Sequence, residues 1–325
     1  MSKKTVIITG ALGFIGSHTA KVFKSAGYYV IGIDRFATIP TAAQYLDQLM
    51  VGDFVSTIEA AINSTVVTAI VHCAGTSLVG PSIKDPGEYY NNNAAKTNTM
   101  MTILANIGWK GTIVFSSSAA TYGVPVQVPI REFDAKIPVS PYGWSKLFCE
   151  RIIEDHCTAA KMRGIALRYF NAAGCDPDGT LGHVVNDSHM IPRVLSAYQQ
   201  GMPFTLYGEN YLTPDGTCIR DYLHVMDIAA AHLEAVVLAD TLPPASFLVY
   251  NLGTGHGYSN SEIIETCEEV VNGIINCEVG PCRPGDPAKL VADSSQFQKD
   301  TPWSPKYSDI NTIVRTAWNW QKTLY

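Results

Sequence analysis

Thr5-Val6-Ile7-Ile8-Thr9-Gly10-Ala11-Leu12-Gly13-Phe14-Ile15-Gly16 decides how the rest of this 325-residue chain is read. An apolar run from Thr5 to Ile8 predicts a buried strand, and the pattern from Phe14 to Ala26 predicts a helix. Three glycines lie between them at a fixed spacing. Gly10 permits the tight turn, Gly13 lets a backbone approach a ligand closely, and Gly16 lets helix and strand pack against each other. The basic residues Lys3 and Lys4 before an apolar run resemble an export signal. The run stops at Thr9-Gly10 after a few residues, so a first strand is expected and not a cleaved peptide.

Outward from this unit, strands and helices alternate. Strands are predicted at Tyr29–Ile33, Val66–Val71, Thr112–Phe115 and Ile165–Tyr169, and helices at Tyr89–Ile107 and Tyr142–Lys161. Strict alternation implies βαβ units and a parallel sheet covered on both faces, an α/β doubly wound architecture. After Asn171 the chain becomes rich in Pro, Gly, Tyr and Asn. A helix at Val225–Ala239, a strand at Phe247–Leu252 rejoining the sheet, and a helix at Ser261–Val271 follow, with a Pro/Gly-rich loop over 276–293. A smaller, irregular α+β lobe built from interrupted segments is expected.

Composition narrows the function. Hydrophobic residues make up 46% and charged residues 16%, a packed globular balance. A net charge of −6 without a basic run argues against nucleic acid as a main partner. No stretch reaches the roughly 18 apolar residues of a membrane span. The eight cysteines include no CxxC pair and no Cys/His metal spacing, which predicts no metal site and buried thiols in a reducing cytoplasm.

Asp34 ends the second strand, where a carboxylate accepts bonds from adenosine ribose hydroxyls and repels a 2′-phosphate. This favours NAD, although Arg35 beside it suits NADP. The free N–H groups of Phe14, Ile15 and Gly16 at the helix start would face the pyrophosphate. Asp53, in Gly52-Asp53-Phe54, fits two roles: an adenine clamp with Phe54, or an N-cap.

Tyr142 and Lys146 lie one turn apart on a predicted helix, after Ser140 as N-cap and Pro141 in the first turn. A neighbouring ammonium favours the phenolate of a tyrosine that otherwise titrates near ~10, so Tyr142 suits general acid–base work. Ser116-Ser117-Ser118 follows a strand, at the sheet edge where ligands of open α/β proteins bind. The Ser118 hydroxyl suits a proton relay.

Together the glycine loop, Ser118 and Tyr142-Gly143-Trp144-Ser145-Lys146 resemble the extended short-chain dehydrogenase/reductases, over nearly the whole chain. The resemblance implies a Rossmann domain over 1–171 with returning segments near 216–255. It implies a nucleotide-sugar lobe over 172–215 and 256–325. It places Cys73, Ala74 and Gly75 beside the cofactor, with Asn93, Ser116 and Tyr169. Cys218-Ile219-Arg220-Asp221-Tyr222 resembles the nucleotide-binding strand of enzymes acting on UDP-sugars. By position, Asn171, His189, Tyr207, Arg220, Tyr222, Arg283, Asp286 and Leu290 are then substrate residues. Tyr207 would stack on uracil, and Leu290 would control the room for the sugar 2-substituent. Ser77 stands where some relatives direct a lysine at the cofactor phosphates.

Dehydratases of this family carry an Asp-Glu pair after the catalytic Ser or Thr; here the residues are Ala119-Ala120. The nucleotide-sugar epimerase branch fits best. It implies a UDP-hexose 4-epimerase that interconverts UDP-glucose and UDP-galactose, or the N-acetyl or uronate forms, with enzyme-bound NAD, commonly as a homodimer. An NAD(P)-dependent nucleotide-sugar reductase, which would consume external cofactor, is one alternative. A non-catalytic dinucleotide sensor is another, and it would not need the Tyr/Lys pair.

Overall fold

The computed structural model describes residues 3–37, 39–183, 189–283 and 285–324. Seven strands form the main sheet: β1 (Thr5–Thr9), β2 (Tyr29–Asp34), β3 (Gln48–Val51), β4 (Val67–His72), β5 (Thr112–Ser118), β6 (Arg163–Tyr169) and β7 (Phe247–Leu252). Their spatial order is β7-β6-β5-β4-β1-β2-β3, and every neighbouring pair is parallel. The order reverses between β1 and β4, which opens a crevice at the C-terminal edge of the sheet.

The strands read as unbroken apolar runs because both faces are buried. Val6, Ile8, Val30, Val71, Val114, Ile165 and Leu167 face one side, against Ala20 and Phe23 of helix Phe14–Ser25 and Ile228, Ala231 and Ala235 of helix Val225–Ala239. Their alternates Ile7, Ile31, Ile70, Ile113, Phe115 and Ala166 face the other. There they meet Ile58, Met100, Leu104, Cys149 and Ile153 from helices Phe54–Ser64, Lys96–Asn106 and Pro141–Ala160. This period of two, with each fully buried aliphatic chain contributing about 1.5–3 kcal/mol, fixes the register of the sheet.

A third core gathers Val194 and Leu195 of helix Met190–Gln200, Ile263 and Cys267 of helix Asn260–Val271, and Ile313, Val314 and Trp320 of helix Ile310–Gln321. Strands Phe204–Tyr207 and Cys277–Gly280 pair beside it. Phe297 and Trp303, which fall within the segment expected in the smaller lobe, pack instead on the main core against Tyr250 and Leu252.

Local differences from the expected elements have physical causes. The Tyr89–Ile107 helix is interrupted: Pro86–Tyr89 is a short turn, Tyr90–Ala95 is a π-helix, and Lys96–Asn106 is α-helical. The 276–293 loop contains strands Cys277–Gly280 and Lys289–Leu290. Edge strand β3 has no counterpart among the predicted strands; it is only partly covered and so lacks a strong apolar signature. No helix among the described residues is long and apolar enough to cross a membrane.

Four histidines are at most 1% exposed: His18, His72, His224 and His232. Burial lowers His18 and His232 to about 4 and His72 and His224 to about 3. In the unfolded chain they take up protons near ~6.5. The unfolded state therefore binds more protons over this window, and stability rises with pH. Acidification is expected to cost roughly 1–2 kcal/mol per histidine by pH 5. Glu132 and Asp221, both raised by burial, work in the opposite direction nearer pH 4. Urea unfolding should show a lower midpoint at pH 5 than at pH 7; an equal or higher midpoint at pH 5 would contradict the neutral buried histidines.

Candidate active site

The glycine loop sits at the crevice. Gly10 adopts φ +67, and its N–H donates to the Ile33 carbonyl at 2.8 Å. A Cβ on Gly16 would lie 2.0 Å from the Gly10 carbonyl oxygen, so no larger residue fits without moving helix from strand. Helix Phe14–Ser25 begins at Gly13 without a side-chain cap, which leaves its first N–H groups facing the crevice. Ile15 packs inward on the main core.

A cleft of about 240 Å³ runs from this loop past Phe14, Asp34, Arg35, Phe36, Asp53, Phe54, Cys73, Ala74 and Gly75. The Asp34 carboxylate accepts from Leu12 N at 2.9 Å and Phe36 N at 3.2 Å, which ties β2 to the glycine loop and leaves further lone pairs for a ligand. Asp53 is an N-cap, accepting from Val55 N at 3.0 Å and pairing with Lys96, and it also lines this cleft. A second concavity, bordered by Lys3, Thr5, Tyr29 and Gln48, opens at the opposite edge of the sheet, away from the strand ends where ligands bind.

The Tyr/Lys helix is placed by local rules. Ser140 caps Pro141–Ala160 by accepting from Gly143 N at 3.2 Å, with Pro141 in the first turn, and Lys161 ends it at φ 58. A Cβ on Gly143 would lie 2.4 Å from the Ala120 carbonyl, so the helix start presses directly on the turn that follows Ser118. Lys146 is 6% exposed and donates to the Ser116 carbonyl at 2.9 Å. It forms no ion pair among the described residues, so two of its three N–H donors have no protein partner. The Tyr142 ring packs edge-on against Tyr89 at 6.2 Å, and Tyr89 is anchored by its hydroxyl to the Ser77 carbonyl at 2.6 Å.

Ser118 Oγ accepts from Ala120 N at 3.2 Å, and its own proton has no acceptor among the described residues. The Tyr142 hydroxyl likewise has no protein partner there. Tyr142, Lys146 and Ser118 thus hold polar capacity in reserve at the open end of the sheet. Ser116 Oγ lies 2.9 Å from His232 Nε2 and 3.2 Å from Cys73 Sγ. Burial pushes the Cys73 thiol up to about 11, so it stays protonated, and burial raises Tyr169 further. Asn93 spends both amide protons inside the protein, on the Thr76 carbonyl at 3.0 Å and Ser145 Oγ at 2.9 Å. It therefore shapes the loop after Gly75, and the adjacent Asn92 lines the cleft.

On the substrate side, strand Asn171–Ala173 pairs with Tyr222–His224, placing Asn171 beside Tyr222. The Tyr222 hydroxyl is buried without a partner, and the Asn171 amide has none among the described residues. Arg220 pairs with Asp286, and Leu290 sits opposite Arg220 in register. Leu290 also packs against the Ala119–Tyr122–Phe170 cluster, which joins the nucleotide side to the Ser118 turn. The Arg283 guanidinium lies 4.3 Å above the Tyr207 ring, on the aromatic expected to take uracil. His189 precedes helix Met190–Gln200, and its ring lies 5.3 Å from His183, which in turn stacks 4.5 Å from Phe14 of the glycine loop. Pro284, within the Arg283–Asp286 segment, lies outside the described residues.

Several residues that shape the site carry no local sequence signal. His232 is a lone histidine on an apolar helix. Asn92 and Lys96 could be suspected only from their place beside Asn93. Arg168, Glu150, Tyr122 and Asn251 form a buried network under the Ser118 turn, visible only when distant segments meet.

A doubly wound sheet, a glycine cradle with a strand-end acid, and a Ser/Tyr/Lys set at its mouth define a dinucleotide-dependent short-chain enzyme. Residues 6–253 match the NAD dependent epimerase/dehydratase family, and the chain belongs to that family. It is 41% identical to a UDP-glucose 4-epimerase of Halalkalibacterium halodurans, over 98% of this chain and 95% of the relative. The fold superposes on the UDP-glucose 4-epimerase of Brucella ovis in complex with NAD at a TM-score of 0.92, with 37% identity and 97% of each chain covered. The Bifidobacterium longum UDP-glucose 4-epimerase, in complex with NAD⁺ and UDP, aligns at 0.91 with 34% identity over 98% of each chain.

Gly16→Ala is expected to cost about 1–3 kcal/mol through overpacking against the Gly10 carbonyl. It should also weaken dinucleotide binding beyond that loss, measurable as NAD retained after gel filtration. Retention equal to the wild type would show that the close approach at Gly16 is not needed for the cradle.

Proposed function

We propose that this chain is an NAD-dependent 4-epimerase that interconverts UDP-glucose and UDP-galactose by transient oxidation at C4 of the sugar. The observation that carries this reading is the set of unengaged polar groups on Tyr142, Lys146 and Ser118 at the strand ends, between a cofactor cradle and Arg220, Arg283 and Asn171. The absence of an acid pair at Ala119-Ala120 supports epimerisation over elimination.

The cradle residues fit NAD: Gly10 and Gly16 leave no room for side chains, the helix start donates to the pyrophosphate, and Asp34 accepts from the ribose. When bound, NAD supplies the reversible oxidation at C4. Tyr142 removes the proton from the 4-hydroxyl and returns it on the way back, acting as base and then acid. Ser118 passes that proton, accepting it on the oxygen that it otherwise offers to Ala120 N. Lys146 holds the nicotinamide ribose with its spare N–H groups, its Nζ 5.9 Å from the centre of the Tyr142 ring. Arg220, Arg283 and Asn171 hold the diphosphate while the sugar presents either face to the cofactor, and Leu290 borders the 2-substituent.

A homodimer and a cytoplasmic setting complete the proposal. Tyr90, Trp144 and Phe148 form a partly exposed aromatic strip across the two helical regions, with ring centroids 6.0 and 5.6 Å apart and Phe148 43% exposed. Cys149, Cys157, Cys218 and Cys267 are buried thiols outside any disulfide, which suits a reducing compartment. Phe148→Glu should convert the sedimenting dimer to monomer; a wild-type chain that sediments as monomer would contradict the proposed interface.

Purified protein should convert UDP-galactose to UDP-glucose without added cofactor, with UDP-N-acetylgalactosamine tested separately to set the 2-substituent preference. Net accumulation of NADH instead would point to a dehydrogenase. Tyr142→Phe should lower kcat by about 10²-fold or more, and turnover unchanged in this variant would sink the mechanism.

A further inference from the structure

Beside the expected nucleotide site, Arg193 carries a second guanidinium to the Tyr207 ring. Its Cζ lies 6.0 Å from the Tyr207 centroid and 5.4 Å from that of Phe204. Among the described residues, neither Arg193 nor Arg283 has a carboxylate partner or a side-chain hydrogen bond, whereas Arg220 is matched by Asp286. Two cations therefore converge on one aromatic platform with no counter-charge. A cation–π contact at a partly exposed site is worth only about 0.5–1 kcal/mol, too little to account for gathering like charges.

The helix makes the placement less favourable still. Arg193 stands in the opening turns of Met190–Gln200, and its first turn has no acidic residue. A helix N-terminus disfavours a cation and favours an anion. Residue Arg193 thus carries a local cost that a bound anion would remove, and its planar fork suits phosphate oxygens.

We infer that Arg193 is a further substrate-binding residue, donating to the diphosphate of the nucleotide sugar jointly with Arg283. This assignment rests on the nucleotide-sugar reading of the site. Because Arg283 already covers the Tyr207 ring, binding moves one or both guanidinium groups from the aromatic face to phosphate oxygens.

The test is calorimetric titration of the full chain with UDP, UMP and uridine. Charge-assisted bonds of this kind correspond to about a tenfold change in affinity or more. Arg193→Ala and Arg193→Gln should each weaken UDP by about tenfold and leave uridine within about twofold. Arg193→Lys should restore part of the loss, and the salt dependence of UDP binding should become shallower without the charge. With UDP-galactose, KM should rise with kcat nearly unchanged, because the contact is equal in ground and transition states. UDP affinity unchanged in Arg193→Gln would overturn the assignment. So would an equal loss for uridine, which would mean that Arg193 only supports the aromatic platform. Failure of the wild-type chain to bind UDP at all would bring down the nucleotide-sugar reading itself, and the role of Arg193 with it.

Discussion

Arg168 and Glu150 form the contact on which the geometry of the site depends. Arg168 donates through Nε and Nη2 to the two oxygens of Glu150, at 2.9 and 2.6 Å, with both side chains about 95% buried by exposures of 4% and 5%. Such a pair is a poor source of net stability, but losing one partner leaves a buried charge and costs about 3–5 kcal/mol. Here the pair has further partners around it. Ser117 donates to Glu150, and Arg168 donates to the Tyr122 hydroxyl at 2.8 Å and the Glu132 carbonyl at 3.1 Å. Burial pushes the Tyr122 phenol up to about 12, so it stays a donor, and it binds Asn251 at 2.7 Å. Tyr142, Lys146 and Glu150 recur at i, i+4 and i+8 on one helix face. Glu150 thus bolts to β5 and β6 the same face that presents Tyr142 and Lys146, one residue from Ser118.

The substrate side has its own anchor of a different kind. Asp221 is fully buried and accepts from Thr254 N at 2.9 Å, Thr254 Oγ1 at 2.7 Å, and Gly255 N and Ala292 N at 3.1 Å each. One carboxylate therefore ties together the end of β7, the strand bearing Arg220 and the segment after Leu290. Burial raises its pKa while the backbone N–H groups oppose that rise, so desolvation is the larger influence. An ion pair sets the side with Ser118, Tyr142 and Lys146, and a backbone-satisfied acid sets the side with Arg220 and Leu290. The short strands between them can stay irregular without losing position.

Much of this was legible from local pattern. The glycine loop, the doubly covered strands and the capped Tyr/Lys helix each follow from rules that act within a few residues. What sequence alone did not yield has physical reasons. Asp53 follows a glycine at a strand end, where a carboxylate serves equally as a cap or as a ligand to adenosine; the structure shows the cap to Val55 N and a pair with Lys96 on a residue that also lines the cleft. Helix Met190–Gln200 buries Ile191, Val194 and Leu195, and helix Ile310–Gln321 buries Ile310, Ile313, Val314, Ala317 and Trp320. That helical spacing is present in the sequence, but the surrounding Pro and Gly residues obscure the first. The roles of Glu150, Arg168 and Asp221 depend on partners far away along the chain, which no window of residues contains.

The distribution of unmatched charge explains how an acidic protein can take an anionic ligand. The chain carries −6 overall, yet among the described residues Lys146, Arg193 and Arg283 have no carboxylate partner. Lys146 leans on a carbonyl and on the Phe115 face at 4.9 Å, and the two arginines lean on Tyr207. Carbonyls and aromatic faces are weak partners compared with phosphate oxygens or a phenolate, so exchanging them costs little. A carboxylate in the same places would have stabilised the empty site and competed with every ligand. Where the site does hold an acid near its cations, Asp286 is already committed to Arg220, and its charge is offset before a diphosphate arrives. These cations therefore keep their charge available for an anionic ligand in a chain whose net charge is negative.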